Sequence, residues 1–205
     1  MQNYENFSDF QLSVLSEIGN IGAGNAATAL SDILANRVSM SVPELRVIGV
    51  TQMTTILGGP EVEVIGILVN MTGDVEGMLL FLLNRDFVGL LLRVLIGKEI
   101  AEFEDINDLD MSAIQEIGNI LSGAYVNAIG TMTGLDIWLS PPQVAVDMVG
   151  AILSYPAAQF GQMSEKLLFI EEDFISGMES VKSHLLIMPD MKSLEKILKS
   201  LGVEA

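Results

Sequence analysis

A glutamate and an asparagine stand three residues apart near the start of the chain, and the same pair recurs at an offset of 99 residues. The first pair is Glu17 and Asn20, and the second is Glu116 and Asn119. A carboxamide can hold a water molecule through its carbonyl oxygen and its NH₂ group together. A carboxylate can pair with a cationic side chain of a partner. Residue types with these hydrogen-bonding groups could bind water or a partner protein.

The two pairs belong to an internal repeat. Positions 12–47 align with 111–146 without a gap, and 11 of these positions are identical. The repeat also carries four residues that flank the pairs at the same offset: Ser13, Pro43, Ser112 and Pro142. Self-similarity of this kind indicates a duplicated structural unit. We predict one domain, 1–205, built from two repeats of about 8–100 and 107–205 that are related by a pseudo-two-fold axis.

Helical periodicity predicts that each pair lies on a long helix. At roughly 100° per residue, Ser13, Glu17, Asn20 and Gly24 share one face, and apolar residues occupy the opposite face. The residues expected on that apolar side are Leu15, Ile18, Gly22, Ala26, Ala29 and Ile33 in the first copy and Ile114, Ile117, Leu121, Tyr125 and Ala128 in the second. A single Glu-x-x-Asn is usually ordinary solvated surface, but its recurrence at fixed spacing favours a function.

The rest of each repeat predicts hairpins and shorter helices. Strands are expected at 62–70 and 77–83, and again at 166–170 and 183–188, each pair followed by a helix at 84–96 or 190–201. Ser8-Asp9 is the expected N-cap of the first long helix, and Asp110 or a neighbour that of the second. Residues 143–160 fit either a strand or a helix. The expected fold class is α+β, with a largely antiparallel sheet on which the long helices pack.

Composition excludes several kinds of site. The chain has no cysteine, one histidine and a formal net charge of −17. Thiolate catalysis, disulfides and cysteine zinc sites are therefore excluded, and we expect no metal site and no cofactor of its own. The single histidine, His184, lies in an apolar run and is predicted to be structural. Strong negative charge disfavours nucleic acid and anionic membranes as partners. Without a signal peptide or a convincing membrane span, the protein is expected to be cytoplasmic.

The repeated pattern resembles the signature of the CheC/CheX/FliY family of bacterial chemotaxis phosphatases. That signature is Asp/Ser-x3-Glu-x2-Asn-x22-Pro, and the chain satisfies it twice. The resemblance implies that the protein removes phosphate from the aspartyl-phosphate of CheY, the response regulator that controls the flagellar motor. It also implies that Asn20 and Asn119 place the attacking water and that Glu17 and Glu116 engage the regulator near its conserved lysine. The Mg²⁺ ion is expected on the regulator.

Other implications of the resemblance concern partners. Members related to this chain pair with CheD, a receptor glutamine deamidase, and we expect the segment around Asp147 and Met148 to contribute to that interface. The alternative function is a non-catalytic adaptor that binds a response regulator or CheD. Relatives in the flagellar switch add a C-terminal domain, and we expect none here because the sequence ends after the second repeat. A protein whose main task is to sequester the deamidase is a third, compatible possibility.

Overall fold

The computed structural model describes residues 7–160 and 166–203 and confirms the predicted α+β class. Two runs of the chain have the same order of elements, helix-strand-strand-helix-strand-strand-helix. The first run contains α1 (Asp9–Leu34), β1 (Val38–Met40), β2 (Glu44–Gly49), α2 (Val50–Ile56), β3 (Glu63–Gly73), β4 (Gly77–Leu83) and α3 (Arg85–Ile96). The second contains α4 (Asp108–Thr133), β5 (Ile137–Leu139), β6 (Gln143–Met148), α5 (Val149–Phe160), β7 (Lys166–Ser176), β8 (Glu179–Pro189) and α6 (Met191–Ser200).

Reciprocal side-chain caps start the two long helices. Ser8 caps α1: its hydroxyl accepts from Gln11 N at 3.2 Å, and the Gln11 side chain accepts from Ser8 N at 2.8 Å. Asp110, which the sequence favoured as the cap of α4, is instead the third residue of that helix. Asn107 is the cap, and the Asp110 carboxylate accepts a hydrogen bond from Asn107 N at 2.8 Å. The correction follows from the capping box, in which both positions carry polar side chains.

The sheet has eight strands, and every strand pairing within the described residues is antiparallel. Its order is β1-β7-β8-β4-β3-β5, with β2 also paired to β7 and β6 also paired to β3. The hairpins β3–β4 and β7–β8 meet at the centre through β4 and β8. The short strands that follow each long helix pair with the hairpin of the other half. The two runs are therefore interlocked by backbone hydrogen bonds.

The ambiguous segment 143–160 contains both of its possible structures, because β6 leads directly into α5. The predicted strands are longer than expected: β3 continues to Gly73, and β7 to Ser176. The main core lies between one face of the sheet and α1, α3, α4 and α6. A smaller core lies on the other face beneath α2 and α5. None of the helices in residues 7–160 and 166–203 has the length and hydrophobicity needed to cross a bilayer.

Glycines allow the motif helices to approach their neighbours closely. A Cβ atom added to Gly22 of α1 would lie 2.4 Å from Cδ1 of Tyr125 on α4. A Cβ atom on Gly118 of α4 would lie 2.6 Å from Cγ2 of Ile67 on β3. Since a glycine in a helix interior costs about 1 kcal/mol relative to alanine, this close packing offsets the loss of helix propensity.

Candidate functional site

The outer faces of α1 and α4 carry the repeated polar pairs. Glu17 and Asn20 are exposed on α1, and Glu116 and Asn119 are exposed on α4. Residues at i and i+3 on a helix are neighbours on its surface. The structure thus brings each glutamate beside its own asparagine, with both side chains open to a partner.

The buried faces of the two helices agree with the sequence pattern except at the end of α1. Leu15, Ile18 and Ala26 are buried, as are the five predicted residues of the second helix: Ile114, Ile117, Leu121, Tyr125 and Ala128. Ala29 is half-buried, and Ile33 is 49% exposed, so the prediction of a core position was wrong for Ile33. Because the opposite face of α1 packs on the core, Glu17 and Asn20 are held on the outer surface of the protein.

The two motif serines use their hydroxyl groups within their own helices. The Ser13 hydroxyl donates to the carbonyl oxygen of Phe10 at 2.7 Å, and the Ser112 hydroxyl donates to the carbonyl oxygen of Asp108 at 2.9 Å. Both residues are exposed. This bonding suits a helix-surface contact, because an activated nucleophile needs a base as its hydrogen-bond acceptor.

The two motif prolines are buried behind the helices. Pro43 lies between β1 and β2, where its Cγ would be 3.6 Å from a Cβ atom on Gly19. Pro142 lies between β5 and β6, and its carbonyl oxygen accepts a hydrogen bond from the Gln115 side chain at 2.9 Å. Each proline thus contacts the helix next to its Asn or its Glu. Fixed backbone at these turns supports the orientation of the exposed pair.

The helix turn that follows each asparagine is small and unobstructed. Nothing lies within 4 Å of a Cβ atom added to Gly24 or to Gly123. Glycine there forfeits helix stability without any packing reason inside the chain. The lack of a side chain leaves room for another surface to approach the Asn.

Gly24→Ala and Gly22→Ala should therefore change stability in opposite directions. Gly24→Ala is expected to stabilise the fold by about 0.5–1 kcal/mol, because alanine restricts the unfolded chain and meets no neighbour. Gly22→Ala is expected to destabilise it by about 1–3 kcal/mol, because the new methyl group would overlap the Tyr125 ring. Thermal unfolding of the two variants beside the parent protein measures both effects. A loss of stability in Gly24→Ala would show that the open space is absent in solution.

A third set of predicted residues lies apart from the motif helices. Asp147 and Met148 are exposed on β6, which pairs with β3. They adjoin α5, where Asp147, Tyr155 and Pro156 help to line a pocket of about 270 Å³. This surface lies on β6 and α5, whereas the Glu/Asn pairs lie on α1 and α4.

A buried polar pair between α4 and β7 was not predicted from the sequence. The Tyr125 hydroxyl donates to the Glu172 carboxylate at 2.7 Å, and Ser183 Oγ lies 3.4 Å from the same carboxylate. Burial raises the pKa of Glu172 to about 7, although both hydroxyl groups oppose the shift. The only available signal was the alternation of β7, which places Glu172 on the same face as Ile170 and Phe174.

His184 occupies a structural position, as predicted. Its ring is buried and stacks on Phe169 at 5.7 Å between centroids, and its Nε2 lies 3.4 Å from Glu171. Burial lowers the pKa of His184 and so favours the neutral ring, whereas the nearby Glu171 carboxylate acts to raise this pKa. Across the described ranges 7–160 and 166–203, no group of three or more His, Asp or Glu side chains is arranged to hold a metal ion.

Comparison with known proteins extends the likeness beyond the motif. The family model described as CheC-like matches residues 10–46 and 109–146, which are the two motif helices and the segments that follow them. The CheY-P phosphatase CheC of Bacillus subtilis is 31% identical over 206 residues, covering 98% of this chain and 99% of that protein. The flagellar motor switch phosphatase FliY of Bacillus subtilis is 28% identical, covering 68% of this chain but 36% of its own length.

Solved structures share the fold at lower identity. The crystal structure of Thermotoga maritima FliY superposes with a TM-score of 0.76 at 22% identity and covers 96% of this chain and 98% of that one. The FliM–FliG complex of H. pylori superposes with a TM-score of 0.70 at 14% identity, covering 94% of this chain and all of that one. The full-length match to B. subtilis CheC, together with the family model, shows that the chain belongs to the CheC-like family.

Proposed function

We propose that this protein is a hydrolase that removes the phosphoryl group from CheY-P. Its relative over nearly the whole chain is a CheY-P phosphatase, and a second relative is a flagellar switch phosphatase. The observation that carries the proposal is the pair of Glu and Asn side chains exposed on one face of α1 and repeated on α4. Each pair stands beside a glycine that leaves the surface open.

The asparagines are proposed to position the attacking water. Hydrolysis of an aspartyl-phosphate needs water in line with the bond between phosphorus and the carboxylate oxygen. The water oxygen bonds to phosphorus, the aspartate leaves as a carboxylate, and the water proton goes to the released phosphate. The carbonyl oxygen of Asn20 or Asn119 can accept a hydrogen bond from the water, and the NH₂ group can donate one to the water oxygen, which fixes the direction of attack. Positioning alone can lower the barrier greatly because the acyl phosphate is already activated.

The glutamates are proposed to hold the bound regulator in a fixed orientation. Glu17 and Glu116 each stand one turn before the asparagine, within reach of a lysine near the phosphorylated aspartate. A charge-assisted hydrogen bond there would orient the complex. The Mg²⁺ ion that neutralises charge on the phosphoryl group is proposed to be bound by the regulator, so that this chain brings no cofactor.

Replacing both glutamates should weaken binding to the regulator. For Glu17→Ala with Glu116→Ala we expect the Kd for the regulator to rise by about tenfold, because each exposed charge-assisted contact contributes about 1–2 kcal/mol in an interface. Titration calorimetry with CheY in its beryllofluoride form measures the change. Exposed Glu195→Ala on α6 serves as a control for the loss of negative charge. Equal affinity of the double variant and the parent protein would refute the lysine-pairing role.

The proposed function is tested by the decay of radiolabelled CheY-P with Mg²⁺ present. A catalytic amount of this protein should accelerate decay through many turnovers. Binding of CheY-P without acceleration would support the alternative, a non-catalytic adaptor. In that case the assay is repeated with CheD added, because a partner-dependent enzyme would then become active and an adaptor would not.

The surface formed by β6 and α5 is proposed as the site for CheD. Asp147 and Met148 are exposed there beside the pocket near Tyr155, on elements other than the two motif helices. A partner on this surface could bind while the Glu/Asn faces remain accessible to CheY-P. The protein is proposed to act in the cytoplasm, where its substrate is phosphorylated.

A further inference from the structure

We propose that Phe10 and Leu109 are apolar anchors that dock the phosphorylated regulator on the two motif faces. This inference rests on the proposed function, and it concerns residues outside the Ser/Glu/Asn/Pro pattern. Phe10 is 63% exposed on α1, and Leu109 is 74% exposed on α4. They occupy equivalent positions at the 99-residue offset of the repeat.

Neither residue has a structural task at its helix end. Each is the second residue after the N-cap of its helix, because Ser8 caps α1 and Asn107 caps α4. A hydrophobic staple uses the residue before the cap and the fourth helical residue. Phe7 and Ile106 occupy that preceding position and pack against the main core, whereas Phe10 and Leu109 belong to neither core. Helix formation therefore gives no reason for a large apolar side chain there.

Their position along the helix places them within reach of the same partner. Phe10 precedes Glu17 by seven residues and Asn20 by ten, which is about 10 Å and 15 Å along the axis. Two helical turns return a side chain to nearly the same angle, so Phe10 and Glu17 share a face. An interface of ordinary size buries about 800 Å² on each partner, equivalent to a disc of about 16 Å radius. A regulator centred on the asparagine would therefore cover the anchor.

An apolar anchor would add to the affinity that the polar pair supplies. Exposed Glu and Asn exchange bonds to water for bonds to the partner, so the net gain from each is limited. The strongly acidic surface steers a partner and sets its orientation more than its affinity. Burial of one phenyl or isobutyl group in a pocket of the partner is the kind of contact that dominates interface energies. An isolated exposed leucine is common on proteins, but here a large apolar side chain is exposed at both equivalent positions, each two helical turns before a motif glutamate.

The test isolates one site at a time. In an Asn119→Ala background, where turnover is confined to α1, Phe10→Ala should raise KM for CheY-P about tenfold and leave kcat within about twofold. Phe10→Leu should restore most of the affinity, because it keeps an apolar group. Leu109→Ala in an Asn20→Ala background should act in the same way on the other site. Met178→Ala, fully exposed at the turn between β7 and β8, is the matched control.

The outcomes separate the anchor from the proposed function. An unchanged KM in Phe10→Ala, or a fall in kcat alone, overturns the anchor while the phosphatase stands. If the parent protein does not accelerate decay with or without CheD, the phosphatase fails, and the anchor is judged by calorimetric binding of the beryllofluoride form of CheY. Weaker binding by Phe10→Ala and Leu109→Ala together then supports the anchor, whereas equal binding or no binding by the parent protein overturns it.

Discussion

Asn20→Ala combined with Asn119→Ala should abolish the acceleration of CheY-P decay and leave the fold intact. An alanine methyl group cannot hold water in line with the phosphoryl bond, and we expect the rate to fall by at least about a hundredfold, equivalent to about 3 kcal/mol of barrier. Both asparagines are exposed on helices, so alanine costs no packing. Decay of radiolabelled CheY-P gives the rate, and thermal unfolding gives the stability.

The chain supplies a matched control for this variant. Asn25 is also an exposed asparagine of α1, but it lies off the motif face, and Asn25→Ala should keep full activity. Each single variant, Asn20→Ala or Asn119→Ala, should retain part of the activity if both faces work. A double variant as active as the parent protein would sink the water-positioning role, whereas loss of stability in the double variant would make the asparagines structural.

Local pattern was sufficient to locate the motif helices and their exposed face. An apolar stripe at helical spacing can be buried in only one direction, so the Glu and Asn positions had to point outward. The first hairpin was also predictable, because two continuous apolar runs flank a Gly73-Asp74 turn. The cap of α4 was expected at Asp110 or a neighbour and is Asn107, since both side chains can accept backbone hydrogen bonds at a helix start.

Contacts between the two halves were not predictable. β1 and β2 pair with β7, whose residues are more than one hundred positions away in the sequence. β5 and β6 pair with β3, whose residues are about seventy positions away. Sequence periodicity assigns a face to each strand but does not name its neighbour. The Tyr125–Glu172 bond is of the same kind, because its two partners come from different elements.

The interlocked arrangement explains a divergence between the repeats. Gly22 in α1 corresponds to Leu121 in α4, and Ala26 corresponds to Tyr125. The Tyr125 ring fills the space above Gly22, and the exchanged pair, Ala26 and Leu121, is buried in the same core. The large Tyr125 side chain of α4 is thus matched by the missing side chain of Gly22 on α1. Core volume is preserved while the exposed Glu and Asn stay the same.

Glu172→Gln should make the protein more stable at neutral pH and flatten its stability profile. The ordinary pKa of the carboxyl is 4.5, and burial raises the pKa of Glu172 to about 7. Between these values the folded state keeps a proton that the unfolded chain has released. The stability contributed by that proton is fully present below pH 4.5 and is lost as pH rises through 7, by about 1.4 kcal/mol per pH unit and about 3 kcal/mol in all. Glutamine keeps an acceptor for the Tyr125 hydroxyl without the charge.

Denaturant unfolding at several pH values measures the difference between Glu172→Gln and the parent protein. The difference should be small at pH 4.5 and should grow towards pH 8. His184 acts in the opposite direction, because its lowered pKa makes the folded state gain stability as pH rises towards 6.5, but this contribution is equal in both proteins and cancels. Exposed Glu195→Gln controls for the loss of one negative charge from an acidic surface. If Glu172→Gln and Glu195→Gln have the same pH dependence, the pKa of Glu172 is not raised in the folded protein, and the prediction is wrong.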